Sequence, residues 1–243
     1  VDIEIVILPP SLMADALASG QIDGFCVGEP WNSVAVTKGA GRILTTKSSI
    51  WASSPEKVLA VREEWADSSP EILHGLIRAL YRSSEWCGQI SNHAELADML
   101  GLPHYLDLPA SVIRPALDGS ILGAAASPAT TDFFQPHSRA ATFPWQSHAL
   151  WFYSQMVRWG YVDHSEGNAL IARESYRPDI YRSVLTRAGV PVPSANSKVE
   201  GALRRTIAVG ASSQFLYLGP DGFFDEAIFD PDQLGAYIDS QKS

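Results

Sequence analysis

Gln21-Ile22-Asp23-Gly24-Phe25-Cys26-Val27-Gly28-Glu29-Pro30-Trp31-Asn32 is the stretch whose reading decides the fold. An apolar run over residues 22–27 stops abruptly at Gly28-Glu29-Pro30. That pattern predicts a strand feeding a turn, with Pro30 at the first position of a helix over residues 30–37. Strand ends that open into helix N-termini are where α/β proteins place small-molecule sites. Upstream, residues 1–8 alternate apolar and acidic before turning apolar, which predicts another strand. Pro9-Pro10 ends it, and a helix over residues 12–19 follows, stopped by Gly20. The β-α-β order points to an α/β unit. Further short strands are expected over residues 42–46 and 58–61.

Beyond residue 63 the pattern turns helical. Ser69-Pro70 is a helix start. Ile72, Leu73, Leu76, Ile77, Leu80 and Tyr81 recur at helical spacing toward Cys87. Helices are also expected over residues 93–100, 110–117, 147–159 (deeply buried) and 178–187. Residues 123–130, small and punctuated by Pro128, read as a mobile loop. Residues 190–243 read as an irregular wrap.

The chain has 243 residues, a net charge of −9, 46% hydrophobic and 19% charged residues. This is the composition of a globular protein of one or two domains. There is no Lys/Arg cluster of the kind that binds nucleic acid, and no apolar run long enough to span a membrane. Cys26 and Cys87 belong to no CxxC pair and read as buried free thiols. The pattern contains no Walker A motif, GxGxxG, HExxH or GxSxG. The six histidines show no i,i+4 pairing and read as surface or satisfied core residues. Asp221, Asp225, Glu226, Asp230 and Asp232 read as a solvated acidic surface. No catalytic constellation, metal site or cofactor is implied, so the expected activity is binding and not catalysis.

Three side chains near the opening stretch are open to two readings each. Lys57, just before the strand at 58–61, is a candidate cation for a small anion or a solvated lysine. Glu29 orients that lysine or a loop, or is a first-turn acid favoured by the helix dipole. Trp31 walls a pocket or packs in a core.

Several separated motifs resemble one family. They are Leu8-Pro9-Pro10, Ile22-Asp23-Gly24-Phe25, Gly28-Glu29-Pro30-Trp31-Asn32 and Ser54-Pro55-Glu56-Lys57-Val58-Leu59. Later come Phe143-Pro144-Trp145-Gln146-Ser147-His148, Arg158-Trp159-Gly160 and Gly219-Pro220-Asp221-Gly222-Phe223-Phe224-Asp225. In this order they are similar to the nitrate- and bicarbonate-binding proteins of ABC importers. That group also includes a cytoplasmic nitrate/nitrite sensor that restrains an RNA-binding antiterminator. The resemblance implies an α/β, two-lobed, type II periplasmic-binding-protein fold whose lobes close on a ligand.

It further implies that Lys57 is the anion-contacting lysine, that Val27, Gly28, Glu29 and Pro30 form the ligand turn with Trp31, and that Pro10 lies near the site. Residues 1–61 are then expected to be the remainder of the second α/β lobe, and residues 62–243 a helix-rich portion completing the lobes. The family's other contacts, an aromatic and polar set and a histidine, would lie before Val1. The N-terminal part is thus expected to be missing, and the chain alone to bind nitrate weakly. The implied ligand is nitrate or nitrite. The implied partner is an ABC permease for a periplasmic importer subunit, or the antiterminator for a cytoplasmic sensor. Bicarbonate, a sulfonate or a thiamine precursor are the alternative solutes.

Overall fold

The computed structural model describes residues 3–120, 133–211 and 215–241. The loop expected over residues 123–130 lies outside them. Packing divides the chain into two compact units, each made of two stretches: residues 1–46 with 86–135, and residues 47–85 with 136–243.

The first unit holds α1 (Pro10–Ala18), α2 (Trp31–Thr37), α6 (His93–Leu100) and α7 (Ala110–Asp118). Pro9 and Pro109 each sit just before a helix, at the same backbone angles of φ −58° and ψ 136°. α1 and α2 bury Ala14, Val34 and Ala35, with Phe25, Trp31, Leu108 and Val112 around them. α6 and α7 bury Leu96, Ala97, Ile113 and Leu117. Small residues let these short helices approach closely. Gly101, which ends α6, shows how tight the fit is: a Cβ there would stand 2.7 Å from the Leu108 carbonyl oxygen.

The strands expected in this unit form no ladder among the described residues. Residues 3–8, 22–27 and 42–46 carry no strand pairing. Ile3, Ile5 and Ile7 are 81%, 86% and 95% exposed. The alternating pattern predicts a strand, and this expectation is not met, because a strand is defined by its neighbour. No described segment offers the N–H and C=O groups these residues would need.

The second unit holds α3 (Lys47–Ile50), α4 (Glu63–Ser68), most of α5 (Pro70–Cys87), α8 (Gln146–Arg158), α9 (Glu166–Ser175), α10 (Pro178–Leu185) and α11 (Leu234–Ser240). Its core gathers Leu150, Tyr153, Ala169, Phe229, Leu234 and Ile238. β1 (Ile207–Val209) and β2 (Leu216–Leu218) form an antiparallel pair with Ile207 opposite Leu218. This hairpin, α9 and α11 were not expected. Ser165 starts α9 by accepting the Asn168 amide at 3.1 Å. α8 is buried along Ser147, Leu150 and Ser154 but exposes Phe152 and Met156, so it lies at a surface and is not wholly enclosed.

Residues 58–61 likewise carry no strand pairing, and Val58 and Leu59 are exposed. Two further expectations are corrected. Cys26 is exposed and Cys87 half-buried, both as free thiols, because residues 22–27 are not covered by a second layer. Asp221 is not part of a solvated surface: it is 1% exposed and lies inside the second unit.

Candidate functional site

In the first unit, the turn before α2 is held by its own side chains. Glu29 Oε2 accepts the Ser33 hydroxyl at 2.8 Å and the Ser33 amide at 3.2 Å. Asn32 Nδ2 donates to the Val27 carbonyl at 2.9 Å. The Glu29–Pro30 peptide is cis. A carboxylate on a first-turn amide satisfies one of the four donors a helix leaves open and complements its dipole. Ser33 is fully buried, so this bond is shielded from water. Glu29 is therefore engaged with its own helix and organises the turn. Gly28 is exposed, with nothing within 4 Å of where a Cβ would stand, so a ligand can approach its backbone closely. Pro30 is buried. Trp31 is half-buried against the Ala14, Val34 and Ala35 cluster, which is the core-packing alternative for that residue. Pro10 is the exposed first residue of α1.

Lys57 belongs to the second unit. Its side chain is 85% exposed and its Nζ lies 2.7 Å from Glu56 Oε2. The hydrogen bond from Lys57 holds the Glu56 carboxyl below its usual range, against the opposing effect of burial. Lys47 is the neighbour that sequence reasoning missed. Its Nζ donates to the Pro55 carbonyl at 3.4 Å. Burial pushes the Lys47 amine below its ordinary value, the positive charge of Lys57 pushes the same way, and Glu56 opposes both. Two ammonium groups thus share one carboxylate, leaving a net positive charge that can attract an anion. Nothing in Thr46-Lys47-Ser48 signals this, because the grouping arises from the fold of residues 47–57.

What holds this lysine loop is non-local. Trp51 is 3% exposed and stacks on Phe223 at 4.5 Å, with Trp151 at 4.8 Å and His148 edge-on at 5.8 Å. The Ala52 amide donates to the Gly222 carbonyl at 3.0 Å, the Phe224 amide to the Ile50 carbonyl at 2.8 Å, and the Ser53 hydroxyl to the Pro220 carbonyl at 2.6 Å. The turn at residues 219–224 is fixed in its own right by buried charges. Lys198 Nζ donates to Glu200 Oε2 and, at 2.8 Å, to Asp221 Oδ2. Glu200 Oε1 accepts the Ser147 hydroxyl at 2.7 Å, and Asp221 Oδ1 accepts the Leu203 amide at 2.8 Å.

His148 Nε2 stands 3.4 Å from Glu200 Oε1. Burial alone would push the Glu200 carboxyl up. The imidazole of His148 and the ammonium of Lys198 outweigh it and hold the group below its usual range. Gly201, at φ +83°, leaves no room for a Cβ, which would meet the Ala227 carbonyl at 2.5 Å and the Phe223 ring at 2.6 Å. The chain of support thus runs from Ser147 and Lys198 through Asp221 and Phe223 to Trp51 and the Lys57 loop. Three of the separated sequence motifs meet in it.

Among the described residues no group of three or more His, Cys, Asp or Glu could hold a metal ion. No described helix is long and apolar enough to cross a membrane.

Comparison with known proteins places this architecture. The model of a family described as NMT1-like matches residues 1–101. The nitrate/nitrite binding protein NrtA of Synechococcus elongatus is 31% identical over 99% of this chain and 51% of its own length. The solved structure of the periplasmic nitrate-binding protein NrtA from Synechocystis PCC 6803 superposes with a TM-score of 0.81 at 27% identity, over 98% of this chain and 58% of that one. The chain is similar to the nitrate- and bicarbonate-binding proteins. Its fold is that of the nitrate-binding periplasmic protein over the matched part.

A third relative differs in kind: the nitrate import ATP-binding protein NrtC of Synechocystis sp. is 36% identical over 78% of this chain and 29% of its own length. The chain spans about half the length of the binding proteins it matches.

Proposed function

We propose that this protein binds a small oxyanion, nitrate or nitrite first, as the solute-binding part of an ABC-type import system. The observation that carries the reading is the match to a nitrate-binding structure over nearly the whole chain. The reading needs no covalent chemistry. Lys57 supplies the charged hydrogen bond, with the Lys47 ammonium adding to the local positive potential. Within the first unit, Glu29 and Trp31 shape the turn that leaves the Gly28 backbone open. Bicarbonate is the closest competing solute, ahead of a sulfonate or a thiamine precursor.

Isothermal titration of the full-length polypeptide with nitrate, nitrite and bicarbonate tests the reading. Saturable heat with nitrate or nitrite supports it. Binding of bicarbonate alone would replace the solute, and silence toward all three would remove the function. An import reading also makes an ABC permease the partner. The transport names of the relatives favour this over a sensor that restrains an antiterminator.

One observation favours a second arrangement. Identity to the ATP-binding protein, 36%, exceeds the 31% to the binding protein. The same anion-binding chemistry would then sit on the ATP-hydrolysing component and report anion levels to it. Nitrate-dependent ATPase activity of the assembled importer, lost on substitution of Lys57, separates this arrangement from a free-standing receptor.

A further inference from the structure

The second unit carries another cationic concavity, built from residues that the lysine loop does not use. His74 and Arg78 stand four residues apart on α5 and so share one helix face. Together with Ser183, Val184, Arg187 and Ala188, from the C-terminal end of α10 and the turn after it, they line a cavity of about 190 Å³. Val184 is buried and forms an apolar floor. Neither guanidinium forms a hydrogen bond or ion pair among the described residues, and no carboxylate lines the cavity. The contrast with Arg182 on α10 is sharp: that guanidinium is spent on the Pro193 and Ala195 carbonyls and on Asn196 Oδ1.

The two guanidiniums of Arg78 and Arg187 line one cavity, and like charges repel. Here they do so in a chain with 27 acidic and 18 basic side chains, where a compensating acid would be easy to supply. Ser183 adds a hydroxyl whose proton goes to the Ile180 carbonyl at 2.8 Å, leaving its oxygen free to accept. Doubly charged inorganic phosphate keeps one acidic proton and can donate it there while its other oxygens face the two guanidiniums; a monoester dianion uses the guanidiniums alone.

From this arrangement we propose that the concavity is an anion site separate from Lys57, and that it takes a phosphate group, either inorganic phosphate or the end of a phosphate monoester. A planar fork of N–H donors matches the tetrahedral oxygens of phosphate in pairs, and two such forks suit a doubly charged group better than a monoanion such as nitrate. The cavity is open to solvent, so the ester's remainder can extend outward.

The test is titration of the full-length polypeptide with inorganic phosphate, with methyl phosphate and with nitrate, followed by calorimetry and by ³¹P resonance shifts. The expected result is saturable phosphate binding that weakens as salt rises and that excess nitrate does not displace. Arg78→Gln and Arg187→Gln each weaken it about tenfold or more, while Lys57→Ala leaves it unchanged. Tighter binding of methyl phosphate identifies an ester as the source of the group, and equal or weaker binding identifies the free ion. Arg187 is exposed, so its variant folds whether or not Arg78→Gln does, and circular dichroism confirms each. No phosphate binding in the millimolar range, or binding indifferent to Arg187→Gln, overturns the proposal. Because nitrate is titrated in parallel, loss of the phosphate site and loss of the nitrate reading register as different results.

Discussion

The turn before α2 and the loop that carries Lys57 come from the same stretch of about 60 residues, yet they are built by opposite means. The turn is local: Glu29 reaches Ser33 and Asn32 reaches Val27, all within five residues. The lysine loop is held from afar: Trp51 stacks on Phe223, and Ser53 bonds to Pro220, 167 positions later. A local device can be read in a sequence and can fail alone. A non-local one is cooperative, and its failure should spread through the unit that builds it.

The comparison breaks most visibly at Lys198. Lys198→Met removes the cation between Glu200 and Asp221 and strands two buried carboxylates. A loss of about 3–5 kcal/mol is expected in denaturant unfolding, as for other broken buried pairs. Next comes Trp51→Ala, where emptying the aromatic stack is expected to cost about 3 kcal/mol. It should also raise amide exchange at residues 47–57 while leaving α2 protected. Equal loosening of α2 would show that the two regions are not independent.

The local turn gives a smaller effect. Glu29→Ala removes a side-chain acceptor from the helix start and should cost about 1–2 kcal/mol. Its exchange signature should be confined to residues 27–37.

A subtler difference lies in pH. The Glu200 carboxyl is held below its usual range, so the unfolded chain takes up its proton first as pH falls. Its contribution to stability is full above the unfolded value of about 4.3 and is lost as pH drops through the lower folded value. Glu200→Gln should therefore be most destabilising near neutrality, and the gap to the parent protein should close only as pH falls through the lowered folded value. A gap that stays constant with pH would mean that the carboxylate's charge does not contribute. Smallest of all, Lys57→Ala should leave the melting temperature unmoved, because its ion pair with Glu56 is solvent-exposed.

How much of this was legible in the sequence follows the same division. Helices α5, α6, α7 and α10 announce themselves by apolar spacing and by Pro or Gly at their ends. The turn at residues 27–32 was readable for the same reason: its signals lie next to one another. The hairpin β1–β2 was missed because three-residue strands are shorter than any reliable period. α11 was missed because Asp230-Pro231-Asp232 reads as loop, although Asp230 opens a 3-10 turn by accepting the Asp232 amide at 3.0 Å.

Asp221 was misplaced on the surface because its partners, Lys198 and the Leu203 amide, lie some 20 residues away, and no periodicity brings them together. For Lys57, the pattern supplied a candidate and the resemblance supplied a role. The reason that the loop stands where it does, the aromatic and ionic support beneath it, is spread across residues 51, 147, 198, 200, 221 and 223 and becomes visible only in three dimensions.

The central claim is that a well-supported loop presents Lys57 as the charged contact for an oxyanion. Calorimetric titration of nitrate into the full-length polypeptide, parent and Lys57→Ala side by side at matched melting temperature, tests it most directly. A tenfold or greater loss of affinity in the variant is the expected result, since a charged hydrogen bond is worth about 1.5–3 kcal/mol. Unchanged affinity in the folded variant would contradict the account.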